Sequence, residues 1–492
     1  MKKNVSRRDF IKMAAVGSAS AATILTAFNP KDAIAKLPKK WDMDVDIIVV
    51  GAGGAGLAAA LEAAAKGTKV VVLEKTPAMG GSSLICGGAL AFAGTDLQAE
   101  KDVKDSNDLF YKDLMKVGEN VNDPVMVKAY LDNQLETYKW LKSLGVKFNG
   151  LGIASGMSVP RSHYVTPKDV IKILGDTAKA KGAMIIMGTG VSRLILDEKS
   201  GKIRGVMAEK GSKKTYYGAK KGVILSSGGF SRNKDLLAKF VPSMAKAKAM
   251  VGLGCQGDGL KMAWSSGADL QDMPYIKATF GFDTEATSMA HFALVFYKGA
   301  LIINKEGKRF VNESISYKLV GDAALMQPNA IGYQIYDAAI RDEANKDQLA
   351  KTDTLEKEGR IKQAATIGEL AMAIGIQPKT LEDTLRDYNA SVDKGIDTQF
   401  GRKTLVAGFG KPVKIEKPPF YALASTAFIL GTYGGIRVNE KAQVLNIYGE
   451  VVPGLYGAGE ILGGVHGAAY MTGTAFGKAL IFGRLAVKSI LS

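Results

Sequence analysis

The pattern of apolar and polar residues near the start of the chain predicts a strand, a turn, a helix and a second strand. Residues 45–50 form an apolar, β-branched run that stops at Gly51, and the alanine-rich stretch 57–66 has the composition of a helix. A second apolar run over residues 69–73 ends in Glu74. This order of elements predicts a parallel βαβ unit.

Three glycines in the turn, Gly51, Gly53 and Gly56, have the spacing of a dinucleotide-binding fingerprint. Gly51 permits a tight turn, Gly53 lets a pyrophosphate approach the backbone, and Gly56 lets the helix pack closely on the strand. The helix N-terminus offers free N–H groups and a partial positive charge to the phosphates. Glu74 lies about 20 residues further on, where an acid accepts hydrogen bonds from a ribose diol. The pattern therefore predicts a dinucleotide site and a redox enzyme.

The same reading of the pattern predicts elements along the rest of the chain. Residues 105–145 are predicted to be helical, residues 183–196 to form two short strands, and residues 221–230 to form a buried strand that ends in a glycine turn. After residue 240, strands such as 301–304 and 309–312 are interspersed with helices. The strand-and-glycine pattern returns at the end of the chain, which predicts one discontinuous domain with a second domain inserted into it.

The N-terminal residues are predicted to be a twin-arginine export signal rather than part of the fold. Ser6-Arg7-Arg8-Asp9-Phe10-Ile11-Lys12 is followed by a weakly apolar stretch over residues 13–28 and by an Ala-x-Ala cleavage site at residues 33–35. Residues 1–35 are thus a predicted signal peptide. The stretch is short and weakly apolar for a bilayer span, so we expect a periplasmic protein without stable membrane insertion.

Charge and cysteine content limit the partners. The formal net charge is +17, which fits acidic redox partners or anionic solutes, and export argues against a nucleic-acid partner. Cys86 and Cys255 are the two cysteines, and there is neither a CxxCH motif nor a four-cysteine set. Covalent haem and an iron–sulfur cluster are therefore excluded, and no metal site is expected. Electrons must come from another protein, and we expect a separate c-type cytochrome or a similar donor.

Four motifs give the chain a resemblance to a known flavoprotein family. They are Gly80-Gly81-Ser82-Ser83, Ser226-Ser227-Gly228-Gly229-Phe230, the Arg-Phe-x-Asn-Glu stretch at 307–313, and residues 454–467. The chain resembles the soluble fumarate reductases of the flavocytochrome c type, a family that also includes urocanate reductase and the 3-ketosteroid dehydrogenases. The resemblance implies an α/β fold in which a discontinuous Rossmann-like FAD-binding domain, over residues 36–240 and 396–492, holds an inserted α+β capping domain over 241–395.

The resemblance implies FAD in an extended pose. No histidine stands in the glycine loop at 80–88, so FAD is expected to be non-covalent. Backbone N–H groups at the start of the last helix would stabilise negative charge on the reduced flavin. The expected FAD-binding residues are Gly51, Gly53, Gly54, Ala55, Gly56, Glu74, Lys75, Gly81, Ser82, Ser83, Gly87, Gly88, Val191, Gly228, Gly229, Asp258, Glu460, Thr474, Ala475 and Phe476.

The family chemistry passes a hydride between flavin N5 and one carbon of a C=C bond and moves a proton at the neighbouring carbon. The resemblance places the proton-donating arginine of fumarate reductases at Tyr317 and their carboxylate-binding arginine at Tyr470. Of the polar active-site residues that the resemblance implies, His466 is the one that is also present in this chain. The other polar positions of the family fall at Thr279, Phe292, Ala293 and Phe296.

The missing arginines predict poor binding of fumarate, because a buried dicarboxylate needs bidentate, permanently charged donors. Tyr317 and Tyr470 instead fall at or near two tyrosines of the steroid dehydrogenases, one for proton transfer and one that hydrogen-bonds the substrate ketone. The expected catalytic residues are Tyr317, Tyr470 and His466. The expected pocket residues are His291, Phe292 and Tyr433.

Three functions remain open from the sequence. The first is an FAD enzyme that reduces or desaturates a C=C/CH–CH bond next to a carbonyl in a weakly charged or neutral substrate, with reduction fed by a cytochrome c favoured. The second is a reductase of a small unsaturated monocarboxylate, such as methacrylate or acrylate, or a fumarate reductase-like enzyme that uses basic residues not placed by the resemblance. The third is an electron-transfer flavoprotein without catalysis of its own.

Overall fold

The structure is a computed structural model that describes residues 34–154, 156–276, 278–315, 317–347, 349–405 and 410–492. The predicted twin-arginine motif and apolar stretch lie outside the described residues and stay a prediction. No helix in the described part of the chain is long and apolar enough to cross a membrane.

The strands are β1 Ile34–Lys36, β2 Met43–Val50, β3 Val70–Leu73, β4 Ala89–Ala91, β5 Gly150–Gly152, β6 Ser162–Tyr164, β7 Met184–Ile186, β8 Gly190–Asp197, β9 Lys202–Lys210, β10 Lys213–Leu225, β11 Lys248–Ala249, β12 Leu270–Gln271, β13 Ala278–Asp283, β14 Leu301–Ile303, β15 Gly332–Asp337, β16 Ile361–Ala364, β17 Phe420–Ile429, β18 Gly435–Ile436, β19 Gln443–Leu445 and β20 Val451–Gly457.

The helices are α1 Gly54–Ala65, α2 Gly81–Leu84, α3 Asp96–Ala99, α4 Asn107–Val117, α5 Pro124–Ser143, α6 Pro167–Ala180, α7 Lys234–Phe240, α8 Asp258–Ser265, α9 Tyr317–Leu325, α10 Ala338–Ala344, α11 Asp353–Lys357, α12 Ile367–Ala373, α13 Pro378–Lys394 and α14 Thr474–Leu491.

The main sheet contains the predicted βαβ unit. Strands β10, β2, β3 and β7 lie side by side and parallel, and β20 pairs in parallel with the other edge of β10. Strands β8 and β9 extend this sheet in antiparallel register. Helix α1 joins β2 to β3 and is buried along nearly its whole length, where it packs against α6 and α14. This burial explains its uniformly small, apolar sequence, because close packing on several sides leaves room for alanine and glycine.

A second sheet is built around β17, which pairs with β11, β13, β15 and β16, and β14 pairs with β15. It has its own hydrophobic core, with Phe280, Phe296 and Tyr336 fully buried. The predicted strand at 309–312 is wrong, since this segment makes a single bridge between Arg309 and Ile303. Side-chain ion pairs of Arg309 hold the segment in place of a strand ladder.

The predicted division into domains remains a prediction. The strands of the second sheet run from Lys248 to Ile429, so β17 lies beyond the predicted boundary at residue 395. The predicted strands at 183–196 and the final helix near Thr474 are present as β7, β8 and α14.

Candidate active site

The glycine turn after β2 forms one wall of a cavity of about 520 Å³. Gly51 has a φ of +103°, and a Cβ there would lie 2.7 Å from the Ser226 carbonyl oxygen. At Gly56 a Cβ would lie 1.9 Å from the Gly51 carbonyl oxygen, so α1 reaches β2 only because residue 56 has no side chain. A Cβ at Gly53 would meet only the Gly80 carbonyl oxygen, at 3.8 Å, and otherwise the open cavity. The geometry fits the roles predicted for the three glycines.

The N-terminus of α1 offers backbone donors to this cavity. Its N-cap residue, Gly53, has no side chain that could occupy the first-turn N–H groups. The Gly54 N–H donates to Ser83 Oγ at 3.2 Å, which brings the second glycine-rich loop against the first. Backbone N–H groups and the positive end of a helix at one wall form a suitable site for a pyrophosphate.

Glu74 stands at the carboxyl end of β3. Its carboxylate accepts hydrogen bonds from the Ala52 N–H at 2.8 Å, the Thr76 N–H at 2.8 Å and the Thr76 hydroxyl at 2.7 Å. A carboxylate has about four lone-pair sites, so capacity remains for a ribose hydroxyl. Lys75 beside it pairs with Asp258 at 2.6 Å, and both side chains border the cavity.

Most of the expected FAD-binding residues line the cavity. They are Gly51, Gly53, Gly54, Ala55, Glu74, Lys75, Gly81, Ser82, Ser83, Gly87, Val191, Gly228, Asp258, Glu460, Ala475 and Phe476.

Gly56, Gly88, Gly229 and Thr474 are not among the residues that line the cavity, and their contact with the cofactor stays a prediction. A Cβ at Gly88 would lie 2.2 Å from a backbone oxygen, and one at Gly229 would lie 2.4 Å from Glu460 Oε1. The Thr474 hydroxyl donates to a backbone carbonyl within its own turn at 2.6 Å. These residues shape the wall through close packing.

Tyr433, His466 and Tyr470 line the cavity together as one aromatic cluster. Their ring centroids are 5.6 to 5.9 Å apart, and each pair meets edge to face. Tyr317, the first residue of α9, is partly buried and lies beside Tyr470. The Tyr317 hydroxyl also lies 3.3 Å from Thr472 Oγ1. The structure thus brings the three catalytic candidates and Tyr433 together.

The cluster is uncharged at neutral pH. Burial raises the pKa of Tyr317 and raises the pKa values of Tyr433 and Tyr470 well above the usual range for tyrosine. Burial, followed by the charges of two lysines, Lys478 and Lys318, holds the pKa of His466 well below its usual value. The Tyr433 hydroxyl has no hydrogen-bond partner among the described residues. The cluster therefore offers protonated phenols and a neutral imidazole to a ligand.

Lys318 lies against this cluster and was missed by the sequence analysis. Its Nζ donates to Thr279 Oγ1 at 2.5 Å and lies 5.0 Å from the ring centroid of Tyr317 and 4.5 Å from that of Tyr470. Burial lowers the pKa of Lys318 to about 7, and Asp322 opposes this shift. Its position directly after Tyr317 was visible in the sequence, but nothing there showed which way it faces.

Lys478 is a second buried lysine that the sequence analysis missed. It lines the cavity from α14, and its Nζ donates to the Leu462 carbonyl oxygen at 2.9 Å. Burial lowers its pKa to about 8, opposed by Glu460 and Asp272. A lysine inside the apolar sequence of a buried helix was the available signal, because such a charge needs partners.

His291 and Phe292 are not among the residues that line this cavity, and their role as pocket residues stays a prediction. His291 Nε2 lies 3.2 Å from a carboxylate oxygen of Glu358, and its Nδ1 accepts from the Thr287 N–H at 3.0 Å. Phe292 packs on Phe282 with ring centroids 4.8 Å apart. Both residues belong to the second core and its surface.

The Arg-Phe-x-Asn-Glu motif forms a buried ionic network. Arg309 Nη2 lies 2.8 Å from Glu313 Oε2 and 2.9 Å from Asp397 Oδ2, and these side chains are at most 5% exposed. Arg402 approaches Glu313 at 3.6 Å. The network holds the segment that leads into α9, at whose first residue Tyr317 stands.

Comparison with known proteins agrees with this geometry. The chain matches the FAD binding domain family over residues 46–475. It is 36% identical to the fumarate reductase (cytochrome) of Shewanella frigidimarina over 448 residues, which are 90% of this chain and 76% of that protein. The open conformation of a flavocytochrome c3 fumarate reductase superposes with a TM-score of 0.81 at 28% identity, covering 100% of this chain and 83% of that one.

A second solved structure is similar to the chain over most of its length. It is the 3-ketosteroid-Δ4-(5α)-dehydrogenase from Rhodococcus jostii RHA1 in complex with 4-androstene-3,17-dione, with a TM-score of 0.75 and 26% identity, covering 92% of this chain and 98% of that one. These matches confirm FAD as the cofactor and the predicted fold. The residues of the cavity fit this group, with space at Gly53 for the pyrophosphate and Glu74 for the ribose.

Proposed function

Because this chain belongs to the FAD binding domain family, we propose that it is an exported reductase of a C=C bond conjugated to a carbonyl group. Its relatives identify it as a flavin-dependent oxidoreductase that acts on CH–CH groups. We propose, in addition, the class of substrate, the catalytic residues, the export and the electron donor.

The group of protonated phenols at the cavity is the observation that supports a reductase. FAD, when bound, supplies a hydride to one carbon of the double bond. The other carbon then needs a proton, so the adjacent protein group must be protonated before turnover. Burial raises the pKa of Tyr317 and of Tyr470, which keeps both phenols protonated.

We assign separate roles to the members of the cluster. Tyr470 lines the cavity and donates a hydrogen bond to the substrate carbonyl oxygen, where negative charge develops as the hydride arrives. Tyr317, partly buried beside Tyr470, is the source of the proton. His466 is neutral and is available as a further hydrogen-bonding group at the cavity wall.

Fumarate is a poor fit to this arrangement. Tyr317 and Tyr470 stand where the fumarate reductases resembled by the sequence have arginines, and phenols cannot replace the charge of a guanidinium. We therefore expect a substrate that is neutral or weakly charged. Enones and singly charged enoates are the classes that satisfy this expectation.

Export and the electron donor belong to the same proposal. The twin-arginine motif at residues 6–12 supports export in the folded state to the periplasm. The full chain carries a formal charge of +17, of which the predicted signal peptide holds +4, and the +13 that remains supports docking of an acidic partner such as a small c-type cytochrome. FAD is proposed to be non-covalent, so acid denaturation should release it.

A stopped-flow screen tests the function. The flavin is reduced anaerobically, and its reoxidation is followed with enones, enoates and fumarate. We expect reoxidation by at least one enone or enoate and very slow reoxidation by fumarate. Fast turnover with fumarate would refute the proposed substrate class, and no reoxidation by any compound of the panel would refute the function.

Tyr317→Phe tests the proton source on the substrate found by that screen. Positioned proton transfer contributes about 10²–10⁴-fold, so turnover should fall by this factor while FAD content stays unchanged. Tyr336→Phe is a matched control, because Tyr336 is fully buried in the second core and its hydroxyl has no partner among the described residues. Near-full turnover of Tyr317→Phe would show that this tyrosine only packs.

A further inference from the structure

Lys318 is buried against the tyrosine cluster. Its side chain is 2% exposed, it donates to Thr279 Oγ1, and its Nζ faces the rings of Tyr317 and Tyr470 at 5.0 and 4.5 Å. Burying an ammonium ion is costly unless its charge is used or balanced. The two rings offer their negative faces, and their hydroxyls belong to the proposed proton step.

The charged groups around Lys318 can be assigned element by element. On α9 itself, Asp322 lies one turn further on and interacts electrostatically with Lys318. The elements packed against α9 are β13, β17 and the short turn Pro328–Ala330. Asp283 is the charged residue on the described length of these elements, and Arg360 pairs with it at 2.7 Å. On the cavity side, Tyr317, Tyr470 and the neutral His466 face the lysine.

We propose that Lys318 is a positioning residue whose ammonium charge stabilises the phenolate that forms when Tyr317 gives its proton to the substrate. This inference rests on the proposed function, since it concerns the proton half of the same reduction. It adds a cation to a site in which the sequence showed only phenols and one histidine.

The substrate carbon next to the carbonyl takes the proton, so the O–H bond of Tyr317 breaks and a C–H bond forms. The substrate loses the negative charge that the hydride brought, and this charge passes to the phenolate of Tyr317. The ammonium of Lys318 lies beside that phenolate and is unchanged by the step. A proton from water then restores the phenol.

Two observations support this role. Lys318 Nζ lies 5.0 Å from the ring centroid of Tyr317, and a unit charge at about this distance, at an effective dielectric constant of about 20, attracts a phenolate strongly enough to change an equilibrium by about 10²-fold. Burial lowers the pKa of Lys318 to about 7, which places the loss of its charge within the range where enzymes are assayed. The charged form exists below this pH, so turnover should be highest there and should fall as pH rises through about 7.

The test compares three FAD-loaded proteins: wild type, Lys318→Met and Lys298→Met. Single-turnover reoxidation of the flavin is measured from about pH 5.5 to about pH 9, a range that spans the pKa of Lys318. Lys298 pairs with Asp347 at 2.8 Å in the same part of the chain and serves as the matched control. We expect Lys318→Met to be about 10²-fold slower than wild type at acidic pH and to lose the decline at higher pH. Lys298→Met should follow the wild-type profile.

Failure of the inference and failure of the function give different results. If wild type reduces no compound of the panel, the function and the inference built on it both fail. If wild type is active but Lys318→Met keeps its rate, or keeps a decline with the same midpoint, the inference alone is overturned. Lys318→Arg adds a rescue, since a guanidinium keeps its charge and should remain active at higher pH. A folded, FAD-loaded Lys318→Arg that is as slow as Lys318→Met would also overturn it.

Discussion

Arg309→Met is the substitution whose effect on stability can be worked out most directly from the structure. Arg309 is 1% exposed in its side chain and bridges Glu313 and Asp397 at 2.8 and 2.9 Å. Methionine keeps most of the volume and removes the charge, which leaves two carboxylates buried without their shared partner. Breaking a buried pair in this way costs about 3–5 kcal/mol in the free energy of unfolding.

The pH dependence of this loss follows from Asp397. Burial alone would raise the pKa of Asp397, but hydrogen bonds from Arg309 bring it down to about 2. A carboxyl with a lowered pKa adds stability above its unfolded pKa, here about 2–3 kcal/mol, and this stability is lost as pH falls from about 4 towards 2. The difference between wild type and Arg309→Met should therefore be largest near pH 7 and should narrow in acid.

Urea denaturation at several pH values measures this difference, with Arg341→Met as the control. Arg341 binds Glu356 at 2.7 Å in similar geometry, but its side chain is 35% exposed, so its loss should cost about 1 kcal/mol or less. If Arg309→Met lowers the free energy of unfolding by no more than Arg341→Met does, the argument from burial is refuted. A difference that does not change with pH would refute the role of Asp397.

Two further predictions concern the cofactor wall and the substrate carbonyl. Gly53→Ala should fold like wild type but lose FAD on gel filtration, because its Cβ would enter the space for the pyrophosphate. Gly56→Ala should instead fail to fold, because its Cβ would lie 1.9 Å from a backbone oxygen. Tyr470→Phe should lower turnover by about 10²–10³-fold if it acts as one oxyanion donor, with the rate of flavin reduction by an artificial donor unchanged.

The FAD half of the site could be predicted from the sequence because its geometry is determined by the backbone. Gly51, Gly56 and Glu74 are required by a turn, a packing contact and a strand end that lie within one βαβ unit. Such local constraints leave a regular spacing in the sequence. The residues that are not among those lining the cavity, such as Gly229, come from the same motifs, and only the direction of their Cβ distinguishes them from the lining residues.

The substrate half could not be predicted as well, because its members come from separate elements. Lys318 reaches the cluster from α9, while Tyr433 and Tyr470 lie in loops more than 100 positions further along the chain. Counting from a motif located Tyr317 but could not show that the next residue faces the same cluster. His291 is the opposite case, since its apolar neighbours predicted a pocket and the structure pairs this buried histidine with Glu358.

The charge of the site follows from these two halves taken together. Arginines at positions 317 and 470 would give the pocket two permanent charges, whereas the structure has two phenols there and two buried lysines, Lys318 and Lys478, whose pKa values burial lowers to about 7 and about 8. A guanidinium attracts a carboxylate at every physiological pH, but Lys318 offers its charge only in part near neutrality and is already in contact with two rings. The charge of Lys478 is offset by the nearby carboxylates of Glu460 and Asp272, so a dicarboxylate would find less positive charge here than between two arginines. Under the proposed function, a carbonyl compound needs the hydrogen bond of Tyr470. This difference in charge is the physical reason to expect reduction of enones or enoates in preference to fumarate.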